Sequence, residues 1–119
     1  MRRPKPLHKK RLSEDFILKQ RKKILLGIMD ILILEWIKKN PISGQEIMDR
    51  IKTHFNVMIG PGTMYPILFS LKKRNLVYTE MDKKRKLYLL TNKGRETINT
   101  LKKDHSNIQK AVYSFLKKK

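Results

Sequence analysis

The chain has 119 residues, 29 of them Lys or Arg against 10 Asp or Glu, for a formal net charge of +19 and a pI near 10.4. That length suits one domain with a modest core, a 39% hydrophobic content fits a folding chain rather than a disordered one, and the charge favours a polyanionic partner. The absence of cysteine excludes a disulfide framework, a zinc–thiolate site and a thiol nucleophile.

The longest apolar run, Ile24 to Ile37, is interrupted by Asp30 and Glu35. It is shorter than the ~20 residues of a membrane span, and no apolar signal region follows the basic N-terminus. A cytoplasmic protein with no membrane partner is expected. His8, His54 and His105 are scattered without ligand spacing and the acids form no dyad. No metal, no cofactor and no catalytic residue is therefore expected, and the chain does not read as an enzyme.

Residues 1–12 read as a flexible basic arm. Arg2, Arg3, Lys5, Lys9, Lys10 and Arg11 stand there with Pro4 and Pro6, and the prolines favour extended backbone. Such an arm either grips phosphates or reaches into a minor groove, or is simply a solvated tail. Ser13-Glu14-Asp15 has the form of a helix start, a capping hydroxyl followed by acids. Phe16, Ile17 and Leu18 give that helix an apolar side, and Arg21-Lys22-Lys23 suits its C-terminal end. Gly27 marks a break before a second helix, Ile28 to Lys39, which is apolar nearly all round and so central.

Asn40-Pro41 ends that helix. Ser43 and Glu46 then form a capping box, with Ile42 and Ile47 at the staple positions. The third helix runs to about Phe55, with Ile47, Ile51 and Phe55 inward and Asn56 closing it in the left-handed conformation. Gly60-Pro61-Gly62 is a tight turn into a fourth helix ending near Arg74. Met64, Ile67, Leu68 and Leu71 make its apolar stripe. Tyr65, Pro66, Phe69, Ser70 and Lys73 form its other face, which is poor in basic residues. Two starts are open: a Thr63 cap puts Pro66 in the first turn, and a Pro61 start puts it deeper, where it bends the helix. Asn75 suits the left-handed position after the last turn, from which Leu76 reaches back to Leu71.

Val77 to Met81 and Lys86 to Leu90 read as strands joined by the basic tip Asp82-Lys83-Lys84-Arg85. Both strand faces hold apolar residues, so the inward face is open. Thr91 caps the last helix. There Ile98, Leu101, His105, Ile108, Val112 and Phe115 recur at heptad a/d spacing. A stripe that narrow is expected to pack against another helix, with a homodimer contact, which Phe16 joins, favoured over packing within the chain.

Helix, helix, helix, hairpin, helix is the winged helix-turn-helix order. The expected fold is mostly α with a small β-hairpin (α+β), with an extra N-terminal helix. The DNA-binding domain spans residues 13–91 and a C-terminal dimerisation helix spans 92–119. Within this order Ile42-Ser43-Gly44 with Glu46-Ile47, Pro61-Gly62-Thr63-Met64-Tyr65-Pro66-Ile67-Leu68 with Leu71, and Arg85-Lys86-Leu87-Tyr88 leading into Leu90-Thr91 and Gly94 resemble the PadR family of bacterial and archaeal transcription regulators. Leu26-Gly27-Ile28-Met29-Asp30 is similar to that family's opening helix. The resemblance covers about residues 24–96. The family usually has Tyr in place of Gln45 and basic residues in place of Phe69 and Ser70.

The resemblance implies a dimeric regulator of double-stranded DNA, usually a repressor, acting on a pseudo-palindromic site. Many relatives release DNA when a small molecule binds near the dimer interface, so an unidentified effector is an expected partner. The expected DNA contacts are Ser43, Gln45, Thr63, Tyr65, Pro66, Phe69, Ser70, Lys72, Lys73, Lys83, Lys84 and Arg85. The lysines and the arginine would neutralise phosphates, and the outer face of the fourth helix would meet the major groove. One alternative is a non-specific architectural nucleic-acid binder driven by charge alone. Another is a MarR-type winged-helix regulator, whose wing Asp82-Lys83-Lys84-Arg85 also resembles.

Overall fold

A computed structural model describes the backbone of residues 6–117 and the side chains from Ser13 onward. The elements run α1 (Pro6–Gly27), α2 (Met29–Lys39), β1 (Ile42–Ser43), α3 (Gly44–Phe55), α4 (Pro61–Lys73), β2 (Val77–Asp82), β3 (Arg85–Leu90) and α5 (Asn92–Lys117). No described helix is long and apolar enough to cross a membrane.

The first helix starts earlier than the sequence signals suggest. It begins at Pro6, so Ser13 lies inside it and not at its cap, and residues 6–12 do not form an extended arm. Proline is well tolerated at a first helical position, where its missing N–H has no partner to lose, and Leu, Lys and Arg after it are good helix formers. Arg2, Arg3 and Lys5 lie outside the described residues, as do the side chains of Lys9, Lys10 and Arg11. The break falls where Gly27 indicates it, one residue on: Gly27 ends α1, and Ile28 lies between it and α2.

α2 is the central helix, with Met29, Ile33, Leu34 and Ile37 buried. Ile47 and Ile51 of α3, Met64 and Leu68 of α4, and Ile98 of α5 belong to the same core cluster, all fully enclosed. α3 starts on the expected capping box. The Glu46 backbone N–H donates to Ser43 Oγ at 3.2 Å, and the Ser43 N–H donates to Glu46 Oε1 at 2.9 Å. That N–H, with help from the Ser43 hydroxyl and the nearby Arg85 and Arg50, holds the Glu46 carboxyl below its ordinary 4.5. A depressed acid stabilises the fold fully above its unfolded pKa and loses that contribution as pH falls through the folded value. Glu46→Gln is therefore expected to be less stable than the parent at pH 7. The difference should shrink as pH drops below about 4.5, which urea unfolding at pH 7 and pH 3.5 would show.

Asn56 closes α3 with φ 55. α4 begins at Pro61 behind Gly60, which settles the open start. Pro66 thus lies inside the helix, where it removes the N–H that would bond the Gly62 carbonyl. Asn75 takes φ 64, and the Leu76 N–H closes the end on the Leu71 carbonyl at 3.0 Å.

The sheet has three antiparallel strands in the order β1-β3-β2. β1 pairs Ile42 with Tyr88 and Ser43 with Leu87. Two residues are too few to show a period, so β1 has no sequence signal. The β2–β3 hairpin pairs Val77 with Leu90 through Asp82 with Arg85, leaving only Lys83-Lys84 as its turn. Val77, Tyr88 and Leu90 are buried, so their face is the inward one.

α5 corrects the expected domain boundary and the dimer seam. Thr91 Oγ1 caps it by accepting from the Gly94 N–H at 2.9 Å. Ile98 is fully buried and Leu101 packs on the core, so the first turns of α5 belong to the same core as α2 to α4. The reason is the site where the hairpin ends: it delivers α5 onto α2, and the inner half of the heptad stripe meets that helix. Only past a half-buried His105 does the stripe reach solvent, with Ile108 63%, Val112 51% and Phe115 74% exposed.

Candidate nucleic-acid interface

α4 is held by three buried anchors, Met64, Leu68 and Leu71, one per turn. Its opposite face, with Thr63, Tyr65, Pro66, Phe69, Ser70 and Lys73, is exposed throughout, as is Lys72. Phe69 is 65% exposed, so it lies at the surface and is not part of the core. An exposed aromatic ring on a helix of this kind suits contact with a thymine methyl.

Tyr65 is positioned by a glycine. A Cβ on Gly44 would stand 2.8 Å from its ring, so the start of α3 must be bare for the ring to lie there. Tyr65 also neighbours Tyr88. Burial first, and Tyr65 second, push the Tyr88 hydroxyl above its ordinary 10.0, so it stays a neutral hydrogen-bonding group.

Between α4 and the hairpin lies a recess of about 220 Å³ lined by Tyr65, Phe69, Lys72, Thr79, Lys86 and Tyr88. Lys72 Nζ donates across it to Thr79 Oγ1 at 3.3 Å. Thr79 and Lys86 are absent from the residues expected from sequence. Strand parity would have found them, since Thr79 pairs with Tyr88 and Lys86 lies two residues from it. That signal becomes usable only once the inward face is known.

The remaining expected contacts divide. Gln45 is exposed at the start of α3, with its amide donating to Asp49 Oδ1 at 3.1 Å. Lys83 and Lys84 are exposed at the wing turn, Lys83 in the left-handed conformation at φ 60. Ser43 is buried and its hydroxyl is committed to the capping box, so it does not present a group to DNA. Arg85 is engaged by two carboxylates, Glu46 and Asp82. Of the expected dimer residues, Phe16 on α1 is exposed with the outer part of α5, whereas Ile98 and Leu101 face inward.

A family model, that of the transcriptional regulator PadR-like family, matches residues 33–100. A solved PadR-like transcriptional regulator from Bacillus cereus is 24% identical, covers 82% of this chain and 99% of its own, and superposes with a TM-score of 0.76. A PadR family transcription regulator from Clostridium difficile is 29% identical over 76% of this chain and 99% of its own, with a TM-score of 0.69. One from Eggerthella lenta is 20% identical over 95% of this chain and 99% of its own, with a TM-score of 0.75. No curated protein matches.

Proposed function

Because the chain belongs to the PadR-like family of transcriptional regulators, we propose that it is a sequence-specific repressor that binds double-stranded DNA as a homodimer. Family membership makes it a regulator of transcription and not an enzyme, and decides against the MarR-type alternative. The observation that carries the finer reading is the outer face of α4. It is anchored from behind by three buried residues and exposed along its length, Lys72 and Lys86 lie beside it, and Lys83 and Lys84 stand at the turn of the same hairpin. In this scheme Thr63, Tyr65, Pro66, Phe69 and Ser70 select bases, and the flanking lysines supply salt-dependent affinity. Lys86 makes up for the missing positive charge at Phe69 and Ser70.

The homodimer is supported by unpartnered apolar residues on two long helices. These are Phe16, Ile17 and Ile24 of α1, and Ile108, Val112, Phe115 and Leu116 of α5. A two-fold dimer would set two copies of α4 about one DNA turn (~34 Å) apart on a pseudo-palindromic site. A small-molecule effector would have room in an apolar groove of about 710 Å³ between α1 and α3, lined in part by Phe16, Ile17, Ile24, Ile28 and Phe55.

Selection of bound duplexes followed by competition binding at physiological salt tests this. An inverted repeat bound more than about 10³-fold over random sequence is expected. A ratio well below that, with a steep salt dependence, would replace the repressor with the architectural reading.

A further inference from the structure

We infer that Arg85 is a positioning residue that fixes the wing against α3, and that Lys83 and Lys84 carry the phosphate contacts of the wing tip. This rests on the reading of the α4–wing face as the DNA-binding surface. In sequence the three cations are equivalent members of one basic tip. In the structure they are not.

Arg85 Nη1 donates to Glu46 Oε1 at 3.2 Å and Nη2 to Asp82 Oδ2 at 3.4 Å. The Asp82–Arg85 tip is +2 by sequence, and Glu46 against Arg85 brings it to +1. A phosphate approaching the guanidinium would also meet both acids. Lys83 and Lys84 stand at the turn, exposed, and neither is in an ion pair among the described residues.

The partner of Arg85 explains what it positions. The oxygen that Arg85 touches, Glu46 Oε1, also accepts the Ser43 N–H. Ser43 is both the cap of α3 and the last residue of β1, where it pairs with Leu87. Backbone pairing between β1 and β3 therefore stops two residues short of Arg85. The guanidinium continues that connection through a side chain, from the free end of the hairpin to the N-terminus of α3. An isolated surface ion pair contributes little because two long side chains must be ordered. Here Glu46 is already ordered by the capping box, and the arginine fork engages two acids at once. Since α3 also carries Gly44, against which Tyr65 of α4 lies, this junction sets the wing relative to the recognition face.

The test compares four variants of the full chain, Arg85→Gln, Glu46→Gln, Lys83→Gln and Lys84→Gln, together with the Arg85/Glu46 double variant. Glu46→Gln retains the capping box, because glutamine serves at that position. Affinity for a mixed-sequence duplex is measured against salt concentration. Each lysine variant should lower the slope of log K against log salt by about 0.9. Arg85→Gln should leave the slope unchanged while weakening binding about threefold, Glu46→Gln should do the same, and the double variant should lose no more than either. Amide exchange at the tips of β2 and β3 without DNA should rise about threefold in Arg85→Gln and Glu46→Gln alike and stay level in the lysine variants.

A slope lowered by about 0.9 in Arg85→Gln, or an additive double variant, overturns the inference. So does unchanged tip exchange in Arg85→Gln. If the parent binds no duplex at all, the DNA-binding reading fails, and the exchange experiment alone decides whether Arg85 positions the wing.

Discussion

Gly94→Ala is expected to destabilise the protein by about 3 kcal/mol, at the upper end of overpacking substitutions. A Cβ at this position would stand 2.1 Å from the Leu76 carbonyl oxygen and 3.1 Å from a methyl group of Leu90. The nearest atom is backbone, and that backbone is fixed. The Leu76 carbonyl accepts the Thr91 N–H at 3.1 Å, and Thr91 Oγ1 donates to the Asn75 carbonyl at 2.7 Å. The end of α4, the end of β3 and the first turn of α5 thus meet at one point, and only a bare Cα fits there. Thermal unfolding should show a fall in Tm on the order of 10 °C. The control is Gly62→Ala in the first turn of α4, where a Cβ would meet nothing within 4 Å. There the gain in helix propensity should stabilise the fold by about 0.5 kcal/mol. Equal effects at the two glycines would refute the close-contact explanation.

The second large effect separates the two halves of the α5 stripe. Ile98→Ala should cost about 3–4 kcal/mol of stability, because a fully buried branched side chain leaves a cavity between α2 and α5. Ile108→Ala and Phe115→Ala remove side chains that are 63% and 74% exposed, so the fold of one chain should hardly notice. If these two residues are dimer contacts as proposed, the pair of substitutions should raise the dimer dissociation constant by about 30-fold or more. Sedimentation reads association, and circular dichroism reads folding. Loss of both properties together in the outer variants would mean that the outer half of α5 serves the monomer core. An Ile98→Ala protein that melts like the parent but no longer associates would invert the assignment.

These variants also bear on DNA recognition. A protein reduced to monomers keeps α4 and the wing but loses the fixed spacing between two copies. It should bind a single half-site weakly and show no preference for an inverted repeat. Charge alone does not distinguish the two states, since +19 per chain attracts any duplex.

Much of the fold is set by short-range chemistry and was therefore legible in the residues. The Ser43–Glu46 box, the left-handed Asn56 and Asn75, the break at Gly27 and the Thr91 cap each depend on neighbours within a few positions. The apolar stripe of α4 and its exposed opposite face follow from helical period alone. The family-like Pro61-Gly62-Thr63-Met64-Tyr65-Pro66 string singled out α4 before its surroundings were known.

What needed the folded chain is what depends on partners far apart in sequence. Ile98 and Ile108 lie on one heptad stripe, and only the docking of α5 on α2 sends the first into the core and leaves the second in water. The hairpin strands are apolar on both faces, and pairing with the two residues of β1 together with burial of Val77, Tyr88 and Leu90 chose the inner one, which brought Thr79 and Lys86 beside α4. Arg85 looks like its lysine neighbours until Glu46, 39 residues away, is placed against it. Sequence by itself determined the helices and the hairpin, though not β1 or the start of α1, and the outward face of α4, because backbone propensity and capping act locally. Tertiary structure decided which cations are compensated, which apolar residues remain exposed and where a glycine is indispensable, because each of those is a property of contact across the chain.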